Sequence, residues 1–495
     1  MRIGQVLDAA AAAAPRQVAV SLGERWLTFG QVDEAANRTA NALVGLGIAR
    51  GDTVAWWADT SLAGVALRFA TARLGAVFAP LNPAYGLDEA TASAEYLGSR
   101  LLVADAGHLD AAGELAERLG LDLAVLDDGD PGVPDPVADL GRAAAGASAA
   151  RPTGTPPDPA DTDAVFLTSG STGRPKGVLL SQRTSWLRAL AGITSSVARG
   201  GPGEVGMFPL FHMAGWHFLE QAWSAGRPFH LVERAEAGRL LGAVERWRAS
   251  SLYCIPAVWD RILAEGAGAD ASSLRWTFTG TSLVTTELLS ALKDRFPQTR
   301  TTVNYGSTEA GRSLALGDAD LFAKPGSVGL PVPGTLARLD GSGELLIANE
   351  WLMTGYLDLP DETAAVLEDG WYRTGDLAER DDDGYFTIVG RRREIIRTGG
   401  ETVAPVEVEA ALLDFPGLAD VAVAGVPDVR FGEIVCAFVV PAPGRPAPTV
   451  EELRAHVGGR LAPFKHPRRV VVTDRLPRTG ATGQIQRSAL ADAAR

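Results

Sequence analysis

One stretch of the chain concentrates residues that could bind and activate a phosphate compound. It reads VFLTSGSTGRPKGVLL, from Val165 to Leu180. Glycines let a backbone approach a ligand closely, hydroxyls and backbone N–H groups donate to anionic oxygens, and a lysine adds positive charge. The stretch is not a Walker loop, because Lys176 is followed by a glycine and a strand-like run. Spacing alone is equally compatible with a flexible hairpin loop. The candidate cradle residues are Thr168, Ser169, Gly170, Ser171, Thr172, Gly173 and Lys176.

Short apolar runs on both sides of this loop predict buried strands, at Ala164–Leu167 and Val178–Leu180. Upstream, strand patterns alternate with helix patterns, which favours a parallel α/β sheet. The predicted strands there are Thr53–Trp57, Ala76–Pro80, Tyr96–Ala104 and Leu121–Leu126, and the predicted helices include Leu62–Leu74 and, after the loop, Thr184–Ala198.

The segment TSGSTGRPKG, Thr168–Gly177, resembles the signature loop of the adenylate-forming (ANL) superfamily, in particular its acyl-CoA synthetases. The resemblance continues from about Leu27 to Arg487. It implies that the loop holds the β- and γ-phosphates of ATP. It also implies the ANL fold: a large multi-sheet α/β domain over residues 1–390 and a small mobile α+β domain over residues 391–495.

A second family motif, NYGSTE, spans Asn304 to Glu309. In relatives its tyrosine stacks on adenine and its threonine contacts a phosphate, which implies these roles for Tyr305 and Thr308. Glu309 is a carboxylate suited to Mg²⁺, a hard cation that takes one or two carboxylates plus phosphate oxygens. The other nucleotide-binding residues that the resemblance implies are Gly280, Thr281, Asn304, Gly306, Ser307, Asp376 for the ribose, and Arg391.

Residues for the acid and the thiol are implied in two further segments. The string FPLFHMAG resembles a motif that lines the acyl pocket, so His212 and Met213 are candidates, with Trp216 and His217 directly after them. Gly399 and Gly400 match the loop beside the thiol tunnel of CoA ligases. Arg312 could pair with a charged substrate group, although a surface role is favoured.

The tail departs from the family pattern. Relatives carry a lysine in the sequence that corresponds to PRTGATGQIQR (477–487), and here that position holds Gln484. Compared with the ammonium of a lysine, the amide of a glutamine keeps an N–H donor but has no positive charge. Three explanations stay open: an impaired enzyme, a reaction that does not need the lysine, or replacement by Arg478 or Arg487. The candidate catalytic residues are therefore Lys176, Thr308, Glu309 and Gln484.

Composition limits the other classes of function. The chain has 495 residues with a formal net charge of −14, which argues against nonspecific binding of nucleic acid or anionic membranes. Cys254 and Cys436 lie among apolar residues without metal-like spacing, so both are expected in the core of a protein from a reducing compartment, the cytoplasm. No membrane span is expected. The oligomeric state stays open, with a homodimer as one option.

The implied reaction has two steps. A carboxylic acid attacks the α-phosphorus of Mg·ATP to give acyl-AMP and pyrophosphate, and the thiol of CoA then displaces AMP. Three alternatives remain open. A peptide-synthetase adenylation domain would need an Asp near Phe211, where none occurs. A different acid or acceptor, such as nitrite or an amine, would use the same fold. A nucleotide-binding homologue without activity would account for Gln484.

Overall fold

The computed structural model describes residues 1–129, 137–168, 175–191, 201–265, 268–399, 401–479 and 483–493. Within these ranges no helix is both long and apolar enough to cross a membrane. The helices are α1 (Gly4–Ala13), α2 (Phe29–Gly45), α3 (Leu62–Leu74), α4 (Leu87–Tyr96), α5 (Leu109–Leu119), α6 (Leu140–Gly146), α7 (Gln182–Ala191), α8 (Met213–Ser224), α9 (Ala237–Trp247), α10 (Pro256–Glu265), α11 (Thr286–Arg295), α12 (Pro360–Val366), α13 (Pro405–Leu412), α14 (Val450–Val457) and α15 (Arg487–Ala493).

The strands up to the end of the second motif are β1 (Val18–Leu22), β2 (Arg25–Thr28), β3 (Thr53–Trp57), β4 (Val77–Pro80), β5 (Ser99–Ala104), β6 (Asp122–Val125), β7 (Ala138–Asp139), β8 (Thr162–Thr168), β9 (Lys176–Ser181), β10 (Glu204–Gly206), β11 (Phe229–Leu231), β12 (Ser251–Tyr253), β13 (Trp276–Gly280) and β14 (Arg300–Ser307). The later strands are β15 (Gly311–Leu316), β16 (Leu330–Pro331), β17 (Thr335–Leu339), β18 (Glu344–Asn349), β19 (Gly355–Tyr356), β20 (Leu367–Glu368), β21 (Trp371–Arg380), β22 (Phe386–Arg391), β23 (Ile396–Thr398), β24 (Glu401–Val403), β25 (Leu418–Asp428), β26 (Gly432–Pro441) and β27 (Arg469–Val472).

Two large sheets form the N-terminal domain. In the described ranges, one sheet has the strand order β16-β15-β14-β13-β12-β10-β11-β1-β2 and the other β19-β9-β8-β4-β3-β5-β6-β7. Their central strands pair in parallel, as the alternating strand and helix patterns predicted. A third sheet contains β17, β18, β20, β21 and β22, and a fourth, smaller sheet with β23 to β27 forms the C-terminal domain. This is the mixed α/β fold with a large and a small domain that the sequence predicted.

A buried ion-pair cluster joins the second large sheet to the helices that carry the site. The Arg68 guanidinium in α3 donates to both carboxylate oxygens of Asp163 in β8, at 2.8 and 2.5 Å, and to Glu220 in α8, at 3.2 Å. All three side chains are almost completely buried. Removing one partner of such a cluster leaves an uncompensated buried charge, so the cluster fixes how α3, β8 and α8 pack.

Two predicted elements differ from the structure. The strand predicted over Tyr96–Ala104 begins only at Ser99, because Tyr96 ends α4 and Gly98 turns the chain with a φ of 60°. The hydroxyl of Tyr96 donates to the carbonyl of Leu357 at 2.8 Å, which holds the helix end in place. The helix predicted over Thr184–Ala198 begins at Gln182 and ends at Ala191, and its remaining residues lie outside the described ranges. Both cysteines are buried and free, as predicted.

Candidate functional site

The candidate site lies where parallel strands of the nine-stranded sheet end. The strands β10, β12, β13 and β14 run side by side in the same direction, so their carboxyl ends meet at one edge. The motif of residues 304–309 begins in the last of these strands. Ligands of open α/β sheets bind beyond the carboxyl ends of the strands, where loops can surround them. Along the sequence, these strands lie up to about a hundred residues apart.

Three predicted nucleotide-binding residues lie together on one side of the site. The hydroxyl of Tyr305 donates to Asp376 Oδ2 at 2.5 Å, and Arg391 Nε lies 3.1 Å from Asp376 Oδ1. The antiparallel pairing of β21 with β22 sets Asp376 opposite Arg391. Burial, followed by the Asp376 charge, raises the pKa of Tyr305 well above its usual value, so its hydroxyl stays a donor. The group is thus assembled without a ligand.

Glu309 and Lys176 both contact one tyrosine, Tyr356. The hydroxyl of Tyr356 donates to Glu309 Oε1 at 3.0 Å, and the Lys176 ammonium lies 4.9 Å from the centre of the Tyr356 ring. Lys176 also forms an ion pair with Glu362. No group of three His, Cys, Asp or Glu that could hold a metal occurs in the described part of the chain. Glu309 offers one hard oxygen ligand, which fits Mg²⁺ if phosphate oxygens complete the shell.

Arg188 in α7 is a site residue that the sequence analysis missed. Its guanidinium donates to the backbone carbonyls of Thr308 and Glu309, both at 2.8 Å, and to that of Trp351 at 3.0 Å. Arg188 is buried, and burial lowers its pKa to about 10. The arginine therefore fixes the backbone from which Glu309 projects. A helix pattern gives no sign of such contacts, because the partners lie more than a hundred residues away.

Gly280 and Asn304 form a narrow floor that leaves no room for a side chain. A Cβ atom at Gly280 would lie 2.0 Å from the carbonyl oxygen of Asn304 and 3.0 Å from Tyr253 Oη. The Gly280 φ of 149° also favours glycine, and Thr281 follows with a φ of 69°. The side-chain oxygen of Asn304 is buried and has no hydrogen-bond partner among the described residues. The unpartnered Asn304 oxygen is an acceptor that suits a donor such as the amino group of an adenine.

The C-terminal tail reaches this floor through Gln484. Its side-chain N–H donates to the carbonyl of Thr281 at 3.0 Å. A turn with Thr479 presents the glutamine, since Thr479 and Gln484 exchange hydrogen bonds of 2.9 and 3.0 Å. The tail thus places the Gln484 amide next to Thr281, and its catalytic role stays a prediction.

The two arginines that could have replaced the missing lysine are bound elsewhere in the C-terminal domain. Arg478 donates to both carboxylate oxygens of Asp420 at 2.8 Å. Arg487 pairs with Glu394 at 2.8 Å and with Glu409 at 2.7 Å. These contacts argue against the explanation in which an arginine takes over the role of the lysine.

Aromatic rings cluster on α8, at the end of β12 and shortly after β10. The Phe218 ring lies 4.7 Å from that of Tyr253 and 5.9 Å from that of Phe208, centre to centre. His212, a predicted pocket residue, stacks on Phe208 at 5.6 Å and accepts from the backbone N–H of Ala214 at the start of α8. Burial lowers the pKa of His212 to about 4, so its imidazole is neutral at pH 7.

Trp216 and Met213, two further predicted pocket residues, lie in or against the hydrophobic core. Trp216 is almost completely buried, and its ring packs edge-to-face on Phe78 at 5.3 Å, within the hydrophobic core. Its indole N–H donates to the carbonyl of Leu210 at 2.5 Å. Met213 and Trp216 also line a cavity of about 10 Å³, which is close to the space of one water molecule.

His217 and Arg312 lie deeper than the sequence suggested. His217 is 8% exposed, and neither ring nitrogen has a hydrogen-bond partner within the described ranges. Burial, with smaller contributions from the charges of Arg188 and Arg312, lowers its pKa to about 3. The expected surface role of Arg312 is wrong: burial lowers the pKa of its guanidinium to about 10, and the side chain faces Tyr253 and Glu204.

The remaining predicted residues border parts of the chain that are not described. Thr168 pairs with Lys176 across the antiparallel strands β8 and β9, so the loop between them begins and ends at the site. Five predicted cradle residues lie outside the described ranges: Ser169, Gly170, Ser171, Thr172 and Gly173. Gly400 lies outside as well. Gly399 has a φ of 62°, and its N–H donates to the carbonyl of Phe431 at 2.9 Å.

Comparison with known families agrees with this geometry. Residues 7–357 match the AMP-binding enzyme family, and residues 407–482 match the C-terminal domain of AMP-binding enzymes. The chain belongs to this family and is an AMP-forming acid–thiol ligase of the acyl-CoA synthetase type. It activates a carboxylic acid with ATP as acyl-AMP and transfers the acyl group to CoA.

Relatives of known activity are similar over almost their whole length. A feruloyl-CoA synthase from Amycolatopsis sp is 34% identical, with 96% of each chain covered. An indoleacetate–CoA ligase from Aromatoleum aromaticum is 32% identical, with 98% of this chain and 97% of the relative covered. Among solved structures, ATP-bound MatB from Rhodopseudomonas palustris has a TM-score of 0.89 and 27% identity, covering 100% of this chain and 99% of MatB.

Proposed function

We propose that the protein activates an aryl or arylalkanoic acid and transfers it to CoA. The observation that supports this most directly is the cluster of the Phe208, Phe218 and Tyr253 rings, in which the Tyr253 hydroxyl lies next to Gly280. Flat rings of this kind hold an aromatic acyl group by offset or edge-to-face stacking. The two relatives that act on ferulate and indoleacetate agree with an aromatic ring on the acid.

The nucleotide side has a residue for each part of ATP. In this proposal Tyr305 stacks on the adenine, Asn304 Oδ1 accepts from its amino group, and Asp376 accepts from the ribose hydroxyls with Arg391 beside it. Lys176, Thr308 and the loop residues 168–173 hold the phosphates, with Gly306 and Ser307 at the turn. Catalysis is mainly positioning and stabilisation of charge as the α-phosphorus is attacked.

Glu309 is the proposed ligand of a magnesium ion. Tyr356 fixes one carboxylate oxygen, at 3.0 Å, and leaves the other for the ion. When bound, the ion would neutralise charge on the phosphates. Arg188 keeps the Glu309 backbone in place from behind, at 2.8 Å, and acts as a positioning residue.

We propose that Gln484 performs part of the role expected of a lysine at this position, as a hydrogen-bond donor without the charge. Its amide lies 3.0 Å from the carbonyl of Thr281, next to the expected position of the acid's carboxylate. The amide can donate to a carboxylate or phosphate oxygen, but without a charge. For the second step we propose that the C-terminal domain, residues 391–495, rotates about Arg391–Arg393 and brings Gly399 and Gly400 towards the thiol.

The test is pyrophosphate release with a panel of aryl, arylalkanoic and straight-chain acids. We expect ATP-dependent release with aromatic acids and thioester formation when CoA is added. Hydroxylamine in place of CoA traps acyl-AMP and detects adenylation by itself. Trapping without thioester formation would favour another acceptor, such as an amine. No pyrophosphate with any acid would support a homologue that binds nucleotide without activity.

A further inference from the structure

Lys176, the proposed phosphate ligand, is already bound to a carboxylate of the protein itself. Its ammonium forms an ion pair with Glu362 in α12 and lies 4.9 Å from the centre of the Tyr356 ring. An ammonium has three N–H donors but a single positive charge. A carboxylate that neutralises this charge reduces the attraction for a second anion. A phosphate that approaches Lys176 therefore meets a competitor for the same charge.

The two elements that carry this ion pair are joined to each other through their backbones. Lys176 begins β9, which pairs antiparallel with β19, and the N–H of Leu357 donates to the carbonyl of Gly177 at 2.8 Å. The hydroxyl of Tyr96 donates to the carbonyl of Leu357 at 2.8 Å and accepts from the N–H of Gly177 at 3.3 Å. The strand that carries Lys176 is thus held against the segment that leads into α12.

A second set of contacts fixes α12, which carries Glu362. The hydroxyl of Thr363 accepts from the N–H of Tyr356 at 2.9 Å and donates to the carbonyl of Leu359 at 2.8 Å. These bonds join the first turn of α12 to the strand β19 directly before it. Lys176 is only 19% exposed, so water and salt screen its charge less than they would on the surface. The ion pair is therefore built into the fold and differs from an ordinary surface pair.

Glu362 and the phosphates of ATP compete for the charge of Lys176. We propose that Glu362 is a positioning residue: it holds Lys176 while the phosphate site is empty, yields it to ATP, and takes it back as pyrophosphate leaves. The affinity for both phosphate ligands is then lowered by the fraction of molecules in which Lys176 is held. A weaker hold on pyrophosphate favours its release. This inference rests on the proposed function, in which Lys176 binds the phosphates.

Glu362→Gln tests the competition, because glutamine keeps the shape of the side chain and has no negative charge. Calorimetry in the absence of an acid should show the variant binding Mg·ATP and Mg·pyrophosphate about threefold to fivefold more tightly, the range for a partly exposed ion pair. The KM for the acid should stay unchanged. Asp361→Asn is the matched control, since it removes the same charge from the exposed neighbouring residue, whereas Lys176 pairs with Glu362. It should change either affinity by less than about 1.5-fold, because salt screens an exposed charge.

Lys176→Met shows whether Glu362 acts through the lysine. Methionine removes the ammonium, so this variant should bind Mg·ATP more weakly, and adding Glu362→Gln to it should change the affinity no further. Three results would overturn the inference: unchanged or weaker ATP binding in Glu362→Gln, an equal gain in Asp361→Asn, or a gain that persists in the Lys176→Met background.

The binding experiment is separate from the test of the proposed function, because it needs no turnover. Tighter ATP binding by Glu362→Gln without pyrophosphate release from any acid would support the inference and contradict the proposed function. Pyrophosphate release from aromatic acids with unchanged ATP binding by Glu362→Gln would support the proposed function and contradict the inference.

Discussion

The nucleotide side and the acyl side of the site differ in how their polar groups are partnered. On the nucleotide side, Tyr305 and Arg391 hold Asp376, and Tyr356 holds Glu309, with Asn304 Oδ1 as the exception. On the acyl side, the polar atoms of His217 and Ser185 lack partners in the described ranges. Most of these polar groups on the nucleotide side are thus held by protein contacts, whereas His217 and Ser185 on the acyl side are not. Affinity for ATP and choice of acid should therefore respond to different substitutions.

The largest effect is expected for Glu309→Gln on the nucleotide side. Glutamine can still accept from Tyr356 but cannot offer a charged ligand to Mg²⁺, so kcat for pyrophosphate release should fall about a thousandfold. The loss should be the same for every acid. Glu350→Gln is the matched control, because Glu350 is exposed and pairs only with Arg183 on the surface. A change in acid preference would contradict the separation of the two sides.

Gln484→Lys should raise adenylate formation about a hundredfold, because it adds a charge beside the reacting carboxylate. The thioester step, measured from synthetic acyl-AMP, should hardly change if the tail has rotated away by then. Gln486→Lys serves as the control, since it adds the same charge at an exposed neighbour. A flat result with robust wild-type turnover would instead show that the reaction does not need the lysine.

His217→Phe should change how stability depends on pH. His217 is neutral when folded, with its pKa lowered to about 3, and would be protonated below about 6.5 when unfolded. Its contribution is present above pH 6.5 and lost as the pH falls. Urea unfolding should thus show wild type losing about 2 kcal/mol more than the variant between pH 7 and pH 5, at about 1.4 kcal/mol per pH unit below 6.5. If wild type and variant lost stability equally between pH 7 and pH 5, the result would indicate that water already contacts His217 in the folded protein.

Tyr305→Phe should raise the KM for ATP about fivefold, the worth of one hydrogen bond of about 1 kcal/mol to Asp376. The preference among acids should stay unchanged. Tyr385→Phe, at a tyrosine whose ring lies against Lys324, is the control. If the variant altered the acid preference and left ATP binding intact, Tyr305 would belong to the acyl side.

Arg393→Pro gives the smallest expected effect and tests the boundary after residue 390. Arg393 is exposed, so the change should not disturb packing, but proline fixes φ and removes a donor. We expect a change of a fewfold in the ratio of the two half-reaction rates. Equal effects on both half-reactions would argue against a hinge at this position.

Motifs predicted the fold, and the nucleotide and acyl roles drawn from them stay predictions. The order of TSGSTGRPKG, NYGSTE and Asp376 predicted the fold and the groups that meet at the sheet edge. Sequence patterns could not identify Arg188 as a site residue, because it binds backbone carbonyl groups and every residue has one. Arg312 was assigned to the surface, because arginine is mostly exposed and burial depends on the tertiary fold.

The tail contact has a consequence for the timing of turnover. One amide-to-carbonyl hydrogen bond joins Gln484 to Thr281, and exchanging it for water costs only about 0.5–1.5 kcal/mol. Arg487, in contrast, is anchored to two carboxylates inside its own domain. If the small domain rotates as proposed, the tail contact is therefore easily broken, whereas Arg487 stays bound within its own domain. A hydrogen bond of this strength would not delay the proposed rotation once acyl-AMP is made.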